Sequence, residues 1–240
     1  MEPATHLGHL RTDAAALLDA FRADPTAAVP SCPGWSRTDL LAHAAGVHSW
    51  VRAQLAAGTE ERVRLSDAER PPEGDELPGW YETGVADLLA GLAAMDTAAT
   101  WPTWAGPRPG TFYPRRMAQE TAMHRWDADH SPIAADLALD GVDEHLELFA
   151  PRLPAEKLDG ARGMIHLHAT DVDGDGGEWL VRLTDDGIQF EHGHAKGDVA
   201  VRGRASDLLL WVWNRAPVDD RFEVFGEPSL LQTWRQHVVI

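Results

Sequence analysis

Apolar residues recur every three or four positions through the first half of the chain and alternate with polar ones through much of the second. Leu7, Leu10, Ala14, Leu17, Leu18 and Phe21 mark one face of a helix over residues 4–24. Asp24-Pro25 ends it, because a residue before proline is pushed out of the helical region. A loop through PSCPGW follows. Ser36 then fits an N-cap, with Asp39 three residues on as a capping-box partner. The helix it opens carries Leu40, Ala44, Val47, Val51 and Leu55 on its stripe. Residues 58–77, charged and proline-containing, read as a surface loop. Val85, Leu88, Leu89 and Leu92 mark a helix from Trp80 through Met95. Residues 96–114 hold Trp101, Trp104, Gly106, Pro107 and Gly110, a long connection that either covers a site or joins elements. A helix starting near Pro114 and another with Leu137, Val142, Leu146 and Phe149 complete an antiparallel bundle over residues 1–152.

The period then changes. PRLPAEKLDG, 151–160, reads as a linker. Residues 163–171, 178–186 and 197–203 alternate, separated by Gly- and Asp-rich turns, and predict strands. ASDLLLWVWNR, 205–215, returns to a helical pattern, FEVFG is a short strand, and PSLLQTWRQH a short helix. Residues 160–240 are therefore expected to form a small α+β domain, and the fold class is α plus α+β.

Composition narrows the partners. The formal charge is −17, from 21 basic and 38 acidic residues, so there is no basic excess to release phosphate counterions from nucleic acid or to bind an anionic membrane. A single cysteine, Cys32, rules out an intrachain disulfide. The first residues lack a basic region followed by an apolar run, and no apolar stretch nears the roughly 20 residues of a membrane span. A cytoplasmic protein, monomeric or homodimeric, is expected. Ten tryptophans are many for this length; they serve as core anchors or pocket walls.

The candidate chemistry lies in PRRMAQETAMHRWDAD. Glu120 and His124, four apart, share one helix face with Met117, so the carboxylate turns toward the core. A buried carboxylate costs several kcal/mol unless paired, protonated or on a metal. His43 lies between Leu40 and Val47 and is expected to point inward, while His48, about 140° further round, is expected to point elsewhere. Two imidazoles and a carboxylate from two helices suit zinc, iron(II), nickel or cobalt; a plain Glu–His surface pair has the same spacing.

Other signals are weaker. DVDGDGGE at 171–178 imitates a calcium loop, but its final ligand position falls on Arg182, so an acidic hairpin turn is expected. His166 and His168 share a strand face, which lines a cleft, binds a second metal or, as expected here, is solvated. His192 and His194 read as loop residues. Cys32 reads as a packed cysteine rather than a nucleophile. There is no G-x-G-x-x-G, P-loop or G-x-S-x-G.

Two blocks, VPSCPGWSRTDLLAHAAGVHSWV and AQETAMHRWDAD, resemble the N-terminal domain of the mycothiol-dependent maleylpyruvate isomerase family, one of the DinB-like four-helix metal-binding bundles. The second half, HLHATDVDGDGGEWLVRLTDDGIQFEHGHAKGDVAVRGRASDLLLWVWNR, resembles that family's sterol-carrier-like C-terminal domain. The resemblance implies metal ligands His43, Glu120 and His124, and Arg215 as an arginine contributed by the second domain. It implies a divalent metal, most readily zinc, and mycothiol as thiol cosubstrate. The thiolate would add to a small electrophile such as an unsaturated carboxylic acid, in an isomerase or S-transferase reaction. Three alternatives remain open: a hydrolase of thiol conjugates, a non-catalytic small-molecule binding or regulatory protein, and a structural metal closed by His48 or Asp127 as fourth ligand.

Overall fold

The computed structural model describes residues 1–172 and 175–238 of the chain. Asp173 and Gly174 of the acidic turn lie outside the described residues. Contacts divide the chain into two compact units, residues 1–131 and 132–240.

The first unit contains α1 (Pro3–Ala23), α2 (Arg37–Ala57), α3 (Leu77–Ala94), a two-residue hairpin of β1 (Thr100–Trp101) and β2 (Arg108–Pro109), and α4 (Phe112–Asp129). The four helices pack as α1 on α4 and α2 on α3, with α1 also touching α3 and α2 touching α4. Leu17, Leu18, Leu40, Leu41, Ala44, Leu77 and Tyr81 fill the centre and are almost fully removed from water. Pro114 falls in the first turn of α4, where its missing N–H costs nothing. Residues 58–76 carry only two short 3₁₀ turns, Leu65–Asp67 and Gly74–Glu76.

The second unit begins with α5 (Ala135–Glu144), which continues through a π-helical turn, His145–Phe149. The expected fifth bundle helix thus belongs elsewhere: α5 packs on α6 of the second unit. Helical period reports an apolar face but not what that face packs against, so the boundary expected at 151–160 falls instead between 131 and 132. The residues expected to be a linker form 3₁₀ turns, Ala150–Arg152 and Ala155–Leu158.

A five-stranded sheet follows: β3 (Gly163–Ala169), β4 (Glu178–Thr184), β5 (Gly187–His192), β6 (Val199–Gly203) and β7 (Glu223–Gly226), with α6 (Ala205–Val212) before β7 and α7 (Ser229–His237) after it. The order is β5-β4-β3-β6-β7, with β3 parallel to β6 and the other pairs antiparallel. Ile165, Leu167, Trp179, Val181, Val199 and Val201 are buried. Against the sheet pack α6 and α7, whose Trp211 and Trp234 stack at 5.3 Å. Strand β5 was not expected. Only Gly187 and Ile188 of its six residues are buried, so its sequence lacks alternation.

Candidate metal centre

Local sequence fixes the frame of the site. The loop before α2 is a tight turn: Val29 N–H donates to the Trp35 carbonyl at 2.9 Å, and Gly34 takes φ 87°, where a side chain would be strained. The turn brings the Trp35 ring to 5.2 Å from that of His43 and places the Cys32 thiol 3.8 Å from Asp127 Oδ2, to which it donates. Ser36 then caps α2 in a full capping box with Asp39. Arg37 donates to the Ala128 carbonyl at 2.8 and 3.1 Å and to the Ala20 carbonyl at 2.9 Å. One guanidinium thus bonds carbonyls in the last turns of α4 and α1 and locks α2 against both.

Within that frame three donors converge. His43 Nε2 lies 3.3 Å and His124 Nε2 3.2 Å from the same oxygen, Glu120 Oε1. The two imidazole rings meet edge to face at 4.8 Å and 80°. The other carboxylate oxygen, Oε2, accepts from Arg116 Nη2 at 2.9 Å, and the other nitrogen of His124, Nδ1, faces Asp127 Oδ2 at 3.0 Å. Arg116 and Asp127 are both buried. Glu120 Oε1, His43 Nε2 and His124 Nε2 are left to one another.

Charge is tightly coupled here. Burial alone would raise the Glu120 carboxyl, but the His124 charge, hydrogen bonds from His124 and His43, and Arg116 hold it well below the usual carboxylate range. Burial would lower His124, yet the Glu120 charge and the bonds to Asp127 and Glu120 carry it up to about 9. Without an ion, the pair is therefore a carboxylate and an imidazolium at neutral pH.

The donor set fits a divalent ion. Tetrahedral coordination at about 2.0–2.2 Å separates imidazole and carboxylate donors by about 3.3–3.5 Å, close to the 3.2 and 3.3 Å seen. A ligand histidine whose second nitrogen is held by a carboxylate is the usual outer arrangement of such sites. Among the described residues no fourth His, Cys, Asp or Glu joins this group, so coordination positions stay open. Glu120 and His43 are partly exposed, with 20% and 38% of their side-chain surface open to solvent.

Several expectations need correction. His43 lies at the exposed edge of α2, and it is His48 that points into the core, only 1% exposed. The buried stripe runs through Leu40, Leu41, Ala44, Ala45, His48 and Val51, which keeps Leu40, Ala44 and Val51 of the expected face but leaves Val47 and His43 at its edge. His48 Nε2 meets Thr121 Oγ1 at 2.9 Å, its ring stacks on Tyr81, and burial pushes its pKa down to about 4. It is a neutral core histidine, not a fourth ligand. Asp127 is not a ligand either; it orients His124. Arg215 sits just past α6, half-buried, its N–H bonded to the Leu210 carbonyl. The partner roles of Arg116 and Asp127 were missed, though their i−4 and i+3 spacing from Glu120 and His124 on one helix is the signal that would have found them; nothing along the chain signals that Trp35 would reach His43.

A cavity of about 470 Å³ opens beside His43, lined by Ala42, Gly46, Val47 and, from the 58–76 loop, Leu65, Glu69 and Arg70. A larger one, about 630 Å³, lies by Arg52, Asp87 and Trp101. Only the smaller includes a residue of the donor set, and its size suits a small molecule.

Comparison with known proteins agrees with this architecture. The family model described as the mycothiol maleylpyruvate isomerase N-terminal domain matches residues 7–129, and that described as the MDMPI C-terminal domain matches residues 136–233. Among solved structures, a crystal structure of the mycothiol-dependent maleylpyruvate isomerase superposes with a TM-score of 0.63 at 14% identity, and that of a histidine-to-alanine mutant of the enzyme with 0.65 at 15%; each match covers 95% of both chains. At such identity the likeness establishes the fold. No curated protein sequence matches significantly.

Proposed function

The chain belongs to the mycothiol-dependent maleylpyruvate isomerase family, and from that premise we propose that it is a metal- and mycothiol-dependent isomerase of a small unsaturated carboxylic acid. The convergence of His43 Nε2 and His124 Nε2 on Glu120 Oε1 carries this reading. His43, Glu120 and His124 would hold the ion, zinc being the best match to two imidazoles and a carboxylate. When bound, the ion supplies a Lewis acid that lowers the pKa of a thiol from its ordinary value of about 8.5.

The protein's own groups do the rest. Arg116 occupies Glu120 Oε2 and so keeps Oε1 as the donor. Asp127 holds the Nδ1–H of His124, which leaves Nε2 as the nitrogen that carries a lone pair once its proton is lost. Trp35 fixes one side of His43, and the adjoining cavity offers room for thiol or substrate. Arg215 takes the substrate carboxylate, a role that rests on the family resemblance and suits a guanidinium. Thiolate addition to the conjugated double bond makes it single; rotation and expulsion of the same thiolate restore the double bond in the other geometry. The thiol is regenerated, so it acts as a catalyst.

The test follows cis-to-trans conversion of a conjugated unsaturated dicarboxylic acid with zinc-loaded protein. Turnover is expected only with mycothiol present, with no net loss of free thiol, and is abolished in His124→Ala. Steady consumption of thiol would mean a transferase. Release of thiol from a supplied conjugate, with no isomerisation, would mean a hydrolase.

A further inference from the structure

We propose a second divalent-metal site in the C-terminal unit, made by His166, His168, Glu178 and His194. The four donor atoms lie within 4.8 Å of one another. His166 Nε2 and His194 Nδ1 stand 2.5 and 2.7 Å from Glu178 Oε2, and His168 Nδ1 stands 2.8 Å from Oε1.

Sheet geometry explains the cluster. Alternation along β3 sends Ile165 and Leu167 into the core and His166 and His168 to the opposite face. Glu178 is the cross-strand partner of His168, and directly paired residues share a face. His194 arrives from beyond the end of β5. Gly193 N–H donates to the Glu178 carbonyl, and Gly193 takes φ 154°, a conformation that returns the chain over the strand. His166 is 6% exposed, so this is no solvated strand face.

Three imidazoles and a carboxylate select a borderline ion of the zinc, cobalt or nickel class over calcium or magnesium. Four protein donors close a tetrahedral shell, which marks a structural site, whereas the three donors on α2 and α4 leave positions open. The present spacings are hydrogen-bond lengths. Admitting an ion needs the donors to part by roughly half an ångström or more, to the donor separation of such a shell. His194, with 76% of its side chain exposed, is free to make that movement, while β3 and β4 hold the other three. The ion would pin the segment after β5 to the sheet.

The experiment uses the full chain and zinc alone, counting ions per chain by mass spectrometry after removal of free metal, with affinities from chelator competition. Wild type is expected to bind two zinc ions, His43→Ala one through the C-terminal set, and His43→Ala/His194→Ala none tightly. His194→Ala removes an exposed side chain and leaves the strands intact; His168→Ala, at a half-buried position, serves as the second variant. Each should weaken this site by at least the 10- to 100-fold typical of losing even an outer partner of a metal ligand. Zinc should raise the melting temperature of His43→Ala but not of the double variant. One ion in wild type, lost in His43→Ala and unaffected by both C-terminal variants, would overturn the proposal. One ion retained in His43→Ala but lost in His194→Ala would support it and count against the first site.

Discussion

At the scale of the residue, two carboxylates around His124 have different tasks. Glu120 faces its Nε2 and Asp127 its Nδ1. Asp127→Asn should therefore leave the three donors in place but loosen their orientation, lowering zinc affinity on the order of 10- to 100-fold by chelator competition. His124→Ala should remove tight binding at this site, leaving only that of the cluster around Glu178. The same geometry sets a pH dependence. An ion must displace the His124 proton, so zinc affinity should rise about tenfold per pH unit and level off near pH 9, the value to which His124 is raised. For metal-free protein the sign is opposite. His124 is raised above its ordinary 6.5, so the stability it contributes is full below pH 6.5 and lost as pH climbs through about 9. Glu120 is lowered, so its contribution is full above pH 4.5 and lost only well below that. Melting of the metal-free chain across pH 5–10 should show the alkaline loss, and His124→Ala should flatten it.

At the scale of the element, the frame around the site is set by the start of α2. Ser36→Ala breaks a reciprocal capping box and should cost about 0.5–2 kcal/mol of stability, read from urea unfolding of the chain. Leu41→Ala, at a fully buried position, should cost about 2–5 kcal/mol. The capping box, the helices α1 to α4 and four of the five strands in the large sheet were legible because each follows from local spacing. The orientation of His43 was misread because Val47 was counted into the stripe; Val47 and His43 lie at its edge, while His48, beside Ala44 and Ala45, lies within it. Strand β5 was missed because its outer residues, Glu191 and His192, are exposed, and an edge strand need not alternate. The partner of α5 was misassigned because only tertiary contact decides it. His166 and His168 were legible as one strand face; their meeting with Glu178 and His194 depends on strand register and on the backbone at Gly193, which spacing along the chain does not reveal.

At the scale of the whole molecule, the two units match the two domains of the family in order and nearly in full. Among the described residues no helix is long and apolar enough to cross a membrane. The first unit holds an open set of three donors and the second a closed set of four. Open coordination suits reaction and closed coordination suits structure, so the proposed thiol activation belongs with the three-donor set. This division makes a checkable statement: His194→Ala should lower thermal stability in the presence of zinc while leaving mycothiol-dependent turnover within about twofold of wild type. On the proposed function, His43, Glu120 and His124 hold an ion that activates a thiol. The most direct test of this is the ultraviolet thiolate absorbance of mycothiol, titrated against pH with zinc-loaded wild type and with His124→Ala. Thiolate is expected at pH 7 on wild type, with an apparent pKa at least about one unit below the roughly 8.5 of a free thiol, and unperturbed titration with the variant. Titration near 8.5 with both proteins would contradict it.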